Sequence, residues 1–332
     1  MKFIILGLML SHIIYAGDSF FEGLVQPKDA VRSNSSLEVD MDQLYPFIAV
    51  ESGSFYMGTH PRYEKSVNTH TRKIRMVSWS AKSGRKIWSE FYTPKLRVKT
   101  VINQGFELGK YEVTQEFFEK VMSYNPSRFK GAKRPVENLS RSEIDAFLKK
   151  LNQLNDGYLY KLPSQVQWEY AYRARESHTF FFKNQTNYKE YMNVDLNKYP
   201  MIGLAVFGWL EGNTSRQKIL VKQGGQHLSQ HQEIGLKPAN AWGFHDMVGN
   251  VGERTSSVFS LPKGVHWLDS KGQKLDSSNR GKIAMGGSFK DMASINSRLD
   301  FTFAAYPGSR VSLYDHSKMS NMGFRLMRQP IN

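Results

Sequence analysis

Apolar residues recur at helical spacing in three segments near the middle of the chain. The clearest segment follows the i, i+3, i+4, i+7 pattern of an amphipathic helix, with apolar positions at Ile144, Phe147, Leu148 and Leu151. It begins at the capping box Ser140-Arg141-Ser142-Glu143, a sequence whose side chains satisfy the first backbone amides of a helix. Thr114 and Ser164 precede two similar stripes. We therefore expect three core-facing helices in this part of the chain.

Shorter apolar runs predict strands on both sides of these helices. Phe47–Val50 and Gly53–Met57 predict two strands joined by a turn, and Lys282–Met285 and Gly323–Met327 predict two more in a late half rich in Gly, Asn and Ser. The helices are predicted in the early half of the chain and the short strands mainly in the late half. Because the two do not alternate as in a βαβ fold, the pattern indicates an α+β fold.

The first residues predict export from the cytoplasm. Met1–Ala16 has the basic start, short apolar run and small residues of a signal peptide, and a polar leader or linker over residues 17–46 follows it. A buried N-terminal helix is the alternative interpretation of the apolar run. A folded domain is expected over residues 47–330, with no segment long enough to span a membrane. These features predict a periplasmic or secreted protein.

A basic hairpin is expected as an insertion over residues 65–100. This segment holds ten Lys or Arg residues against the single acid Glu90, a local charge of +9 within a chain whose net charge is +15. Ile, Met, Trp, Phe and Tyr alternate with the charges, and a turn at Lys82-Ser83-Gly84-Arg85 separates two strand-like runs. A third strand is expected at Leu96–Val101.

Basic side chains interleaved with aromatic ones are typical of surfaces that bind polyanions. The residues expected to contact such a ligand are Arg72, Lys73, Arg75, Arg85 and Lys86. An exported protein meets anionic glycans, envelope polymers and protein ligands rather than nucleic acid. The alternative interpretation is a solvated charged face with its aromatic residues packed in the core.

The chain contains no cysteine. This excludes disulfides, cysteine-ligated zinc, iron–sulfur clusters and thiol nucleophiles. The sequence also lacks a phosphate-binding glycine loop and a zincin helix.

An ordered set of motifs resembles one family closely. The set begins at Gly53-Ser54-Phe55-Tyr56-Met57-Gly58 and continues through Gly109-Lys110-Tyr111-Glu112-Val113-Thr114, Arg134-Pro135-Val136-Glu137, Leu162-Pro163-Ser164, Asn240-Ala241-Trp242-Gly243, Gly249-Asn250-Val251, Gly286-Gly287-Ser288 and Gly323-Phe324-Arg325. This order is similar to the formylglycine-generating enzyme, or sulfatase-modifying factor, domain. The resemblance implies a variant C-type-lectin-like fold rich in irregular structure.

The activity that names this family depends on two cysteines that act with copper. The resemblance places those positions at Asp291 and Asn296 of this chain, neither of which can supply a thiolate. We therefore predict that the protein does not oxidise a sulfatase cysteine. Two smaller departures are Arg254, where the family usually has Trp, and Met285, where it usually has Arg.

The resemblance also implies a structural calcium ion. Its ligands would be the side chains of Asp246 and Glu253 and the carbonyl groups of Gly249 and Val251. Hard oxygen ligands of this kind suit calcium. The alternative is a loop held by ordinary hydrogen bonds between carboxylates and backbone amides.

A second metal-like pattern, His227-x-x-x-His231-x-Glu233, resembles the iron motif of the sulfoxide synthases. In those enzymes the motif belongs to a separate helical domain, whereas here it lies between glycine-rich loop segments. A solvated polar loop is the alternative interpretation.

The sequence thus favours an exported, non-oxidase member of this family that binds a ligand or serves a structural role. A cysteine-independent oxidoreductase or maturation enzyme is the alternative. Iron or copper bound to the purified protein would favour the enzyme, and calcium alone would favour the binding protein.

Overall fold

The computed structural model describes residues 41–58, 74–79, 86–91, 98–177, 181, 207–209, 230–258, 282–290 and 311–331. The helices are α1 (Met41–Leu44), α2 (Gln115–Met122), α3 (Arg141–Asn152) and α4 (Gln165–Arg173). The strands are β1 (Phe47–Val50), β2 (Gly53–Met57), β3 (Ile74–Trp79), β4 (Lys86–Phe91), β5 (Val98–Ile102), β6 (Phe106–Gly109), β7 (Tyr158–Lys161), β8 (Gly252–Val258), β9 (Lys282–Met285), β10 (Val311–Leu313), β11 (Met322–Phe324) and β12 (Met327–Pro330). The predicted signal peptide lies outside the described residues.

The three predicted helices are confirmed, and each begins where its capping residue predicts. The Thr114 hydroxyl accepts a hydrogen bond from the Phe117 amide at 3.2 Å. Ser140 and Ser164 form complete capping boxes with Glu143 and Gln167. No helix in the described part of the chain is long and apolar enough to cross a bilayer.

The strands form two four-stranded sheets and two strand pairs. The first sheet has the order β1-β6-β12-β7 and is antiparallel throughout, so β12 lies in its interior. The second has the order β10-β9-β8-β11, in which β8 and β11 run parallel. The predicted hairpin is confirmed as the pair β3–β4, and the strand expected at Leu96–Val101 is confirmed as β5, which pairs with β2.

Two apolar clusters form the core. One surrounds Trp168 of α4, and the other surrounds Phe117 and Phe147 of α2 and α3. Met41 and Tyr45 are buried in the second cluster, although they lie within the predicted linker. The linker was predicted to extend to residue 46. Helix α1 was not predicted because its four residues are too few to show a periodic pattern.

Candidate functional site

The segment predicted to bind calcium, residues 246–253, contributes Glu253 to a buried ion pair at the start of β8. Arg325 Nη2 donates to Glu253 Oε1 at 2.8 Å, and Arg325 Nε donates to Glu253 Oε2 at 3.0 Å. The indole nitrogen of Trp168 also donates to Glu253 Oε2, at 2.7 Å. The side chains of both partners are at most 1% exposed, so the pair lies within the core.

Arg325 joins three parts of the chain that are distant in sequence. Besides the two bonds to Glu253, its guanidinium donates to the carbonyl oxygens of Gly109 at 2.9 Å, Lys110 at 2.8 Å and His245 at 2.8 Å. An arginine side chain has five N–H donors, so these five bonds use all of them. Arg325 belongs to the motif Gly323-Phe324-Arg325, but the sequence does not indicate its role, because its partners lie far away along the chain.

Two further carboxyl groups lie beside the pair. Glu112 accepts hydrogen bonds from Asn250 Nδ2 at 2.6 Å and from the Val251 amide at 3.0 Å. Asp246 Oδ2 accepts from the Gly235 amide at 2.7 Å, whereas its buried Oδ1 has no hydrogen-bond partner.

The electrostatics of these carboxyl groups follow from their burial. Burial and the nearby Glu253 raise the pKa of Asp246 to about 6, against the hydrogen bond from Gly235 and the charge of Arg325. Burial, Asp246 and Glu253 raise the pKa of Glu112 well above its usual range. The positive charge of Arg325 therefore offsets only part of the negative charge that Glu112, Asp246 and Glu253 would carry together.

One of the predicted calcium ligands, Glu253, is already engaged in hydrogen bonds. Its Oε2 accepts from Trp168 and Arg325, whereas its Oε1 accepts from Arg325 alone and keeps a lone pair without a partner. Among the described residues, no group of three or more His, Asp or Glu side chains is placed to hold a metal ion. A calcium ion bound to Glu253 would compete with Arg325 for the charge of this carboxylate.

Gly249, another predicted ligand, has a structural role in the same loop. Its φ of +78° is in the left-handed region, and a Cβ atom there would lie 2.2 Å from the Trp209 carbonyl oxygen. The Gly249 amide donates to the Gly286 carbonyl at 2.9 Å. The glycine is thus required by the close approach of two backbone segments.

The second metal-like motif does not form a described cluster. His231 is fully buried between Phe129 and Phe289, with Nε2 3.6 Å from Glu137 Oε1. Burial lowers the pKa of His231, against the opposing effect of Glu137. Glu233 is exposed, and His227 lies outside the described residues.

The hairpin register brings aromatic and charged positions to one face. Trp79 pairs with Lys86, Val77 with Trp88, and Arg75 with Glu90. Directly paired residues share a face of a sheet, and so do alternate positions along a strand. Both tryptophans therefore share a face with the positions of two predicted polyanion ligands. The other three, Arg72, Lys73 and Arg85, lie outside the described residues.

Solved structures with the same architecture place this chain in a fold class. Treponema denticola variable protein 1 matches with a TM-score of 0.52 and 18% identity, over 86% of this chain and 95% of that one. PvdO from Pseudomonas aeruginosa matches with a TM-score of 0.52 and 17% identity, over 85% and 94%. At this identity the likeness concerns the fold alone, and it confirms the predicted variant C-type-lectin-like α+β class.

The family is defined by the sequence match. The model described as "Sulfatase-modifying factor enzyme 1-like domain" matches residues 35–330, and the chain belongs to that family. A curated relative, "Chaperone protein LppX" of Paenibacillus barcinonensis, is 29% identical over 231 residues, which are 58% of this chain and 77% of the relative.

Proposed function

We propose that the protein is an extracytoplasmic, non-oxidase member of its family that binds anionic polymers through the β3–β4 hairpin. The observation that carries the proposal is the concentration of charge in residues 65–100, where ten basic residues accompany one acid. The rest of the chain, with 35 basic and 29 acidic residues, is close to balance. The polyanion would be an anionic glycan or an envelope polymer.

The hairpin geometry supports this proposal. Positions Arg75 and Lys86 share a face with Trp79 and Trp88, the combination of cationic and planar groups that suits a charged sugar chain or a phosphate polymer. The register also places position Arg75 opposite Glu90, the single acid of residues 65–100. Calcium remains a prediction from the family resemblance and has no role in this binding.

The test is retention on immobilised heparin. Changing Arg72, Lys73, Arg75, Arg85 and Lys86 to Gln should move elution to a markedly lower salt concentration, because binding through a cationic patch depends steeply on counterion release. The matched control changes five exposed cations outside the hairpin to Gln, namely Arg128, Lys130, Lys149, Lys150 and Arg175. Both variants carry the same net charge of +10, reduced by five from +15.

The comparison of the two variants decides the proposal. If only the hairpin variant elutes early, the local charge density binds the polymer. If both variants elute together, net charge is responsible and the hairpin proposal is wrong.

A second function, assistance to the folding of an exported partner, is favoured by the name of the relative from Paenibacillus. A chaperone should suppress aggregation of a chemically unfolded enzyme when that enzyme is diluted into buffer. We expect the five-Gln hairpin variant to retain any such activity in physiological salt, because polymer binding is electrostatic and client binding is mainly apolar. If wild type leaves the aggregation trace unchanged, the chaperone function is excluded for that client.

A further inference from the structure

Arg254 is buried without a counter-charge. It follows Glu253 in β8, and because side chains alternate along a strand, it lies on the opposite face from the Glu253–Arg325 pair. Its Nη2 donates to the Ser317 carbonyl at 2.5 Å. Nε and Nη1 are buried and have no hydrogen-bond partner, and the residue is 1% exposed.

The other buried arginines in the described part of the chain each have a carboxylate partner. Arg173 pairs with Glu169 at 2.7 Å, Arg325 with Glu253 at 2.8 Å, and Arg328 with Glu107 at 2.6 Å. No described carboxylate lies within ion-pair distance of Arg254. Among the described residues, Arg254 is therefore the buried arginine that lacks a carboxylate partner.

A second guanidinium group, that of Arg141, lies nearby and is already paired, because Asp145 Oδ1 accepts a hydrogen bond from Arg141 Nε at 2.8 Å. Arg141, the first residue of α3, donates from Nη1 to the Thr255 carbonyl at 3.2 Å, next to Arg254 in the sequence. Burial and the charge of Arg141 lower the pKa of Arg254 to about 10, and Asp315 opposes this only in part. The group thus stays protonated at neutral pH. Burying an unpaired charge is costly, so a bound anion would stabilise this arrangement.

We propose that Arg254 binds a small oxyanion of the phosphate class. Its unused N–H donors supply charge-assisted hydrogen bonds to the oxygens of the anion, and its uncompensated charge attracts a dianion more strongly than a monovalent carboxylate. Arg141 is 17% exposed and provides the link between this site and the surface. The site is built on β8 and α3, apart from the hairpin, so it is independent of the polymer-binding proposal.

The experiment follows the thermal unfolding of the full chain in inorganic phosphate, in sodium acetate and in sodium chloride of equal ionic strength. Phosphate should raise Tm of wild type by about 5 °C when present at roughly 100 times Kd, and the other two salts should raise it less. Arg254→Met should lose the phosphate shift. It should also melt no lower than wild type in phosphate-free buffer, because the buried charge has been removed.

Two further variants keep the test decisive. Arg254→Lys retains the charge without the planar fork and should weaken phosphate binding by about tenfold or more. Arg175→Met removes a guanidinium group that is 73% exposed and should leave the phosphate shift intact. The proposal is overturned if chloride raises Tm of wild type as much as phosphate does, or if Arg254→Met keeps the phosphate shift. A shift in acetate equal to that in phosphate would also overturn it, because the site would then not prefer a dianion.

Discussion

Replacing Arg325 with Met should remove about 3–5 kcal/mol from the free energy of unfolding, a large part of the stability of a typical domain. The variant leaves Glu253 as a buried, uncompensated carboxylate and removes one hydrogen-bond donor from each of the carbonyl groups of Gly109, Lys110 and His245. Urea unfolding followed by far-UV circular dichroism measures the loss.

The double variant Arg325→Met with Glu253→Met distinguishes the effect of the unpaired charge on stability from the effect of altered packing. Removing both members of a buried ion pair costs less than removing one, so the double variant should be more stable than Arg325→Met alone. Arg175→Met is the surface control and should change the unfolding free energy by less than about 0.5 kcal/mol. Equal urea midpoints for Arg325→Met and Arg175→Met would show that the buried pair has no special role.

Asp246→Asn should make the protein more stable at neutral pH, by up to about 3 kcal/mol. Because the folded-state pKa of Asp246 is raised to about 6, its ionisation opposes folding. The contribution of Asp246 to the free energy of unfolding of wild type should therefore be most favourable below about pH 4. This contribution should be lost as the pH rises through 6. Asn keeps an acceptor for the Gly235 amide and tolerates the positive φ of this position.

The same variant tests the calcium prediction. In chelator, thermal unfolding between pH 4 and 8 should show the variant and wild type converging at the acid end and separating at neutral pH. Glu119→Gln removes an exposed acid and controls for the loss of one charge. If millimolar calcium stabilises wild type and Asp246→Asn lowers stability in its presence, the carboxyl groups bind the ion and the calcium prediction is confirmed.

The sequence predicted local structure well where the causes of that structure are local. Each capping serine or threonine specifies a helix start through bonds that span three residues, as Ser140 and Glu143 show. The hairpin β3–β4 was predictable for the same reason, because its turn and its alternating pattern lie within one short segment.

The candidate sites were predictable only in part, because their contacts join distant segments. Asp246 and Glu253 were singled out as a pair of oxygen ligands, yet the partner of Glu253 is an arginine 72 positions further along the chain. Glu112 and Asn250, which form the other side of the same cluster, are 138 positions apart. Arg254 differed from the family pattern in sequence, but only the structure reveals that its guanidinium is unpaired.

The interior position of β12 has a consequence for how the chain is made. Its neighbour β6 pairs Glu107 with Arg328, residues separated by 221 positions, so the first sheet cannot close until nearly the whole chain has been synthesised. At a translation rate of about 5–20 residues per second, the earlier strands wait for many seconds with unpaired edges. Folding of this topology is dominated by long-range closure and is expected to be slow. Until β12 is inserted, the nascent chain exposes unpaired strand edges and is vulnerable to aggregation.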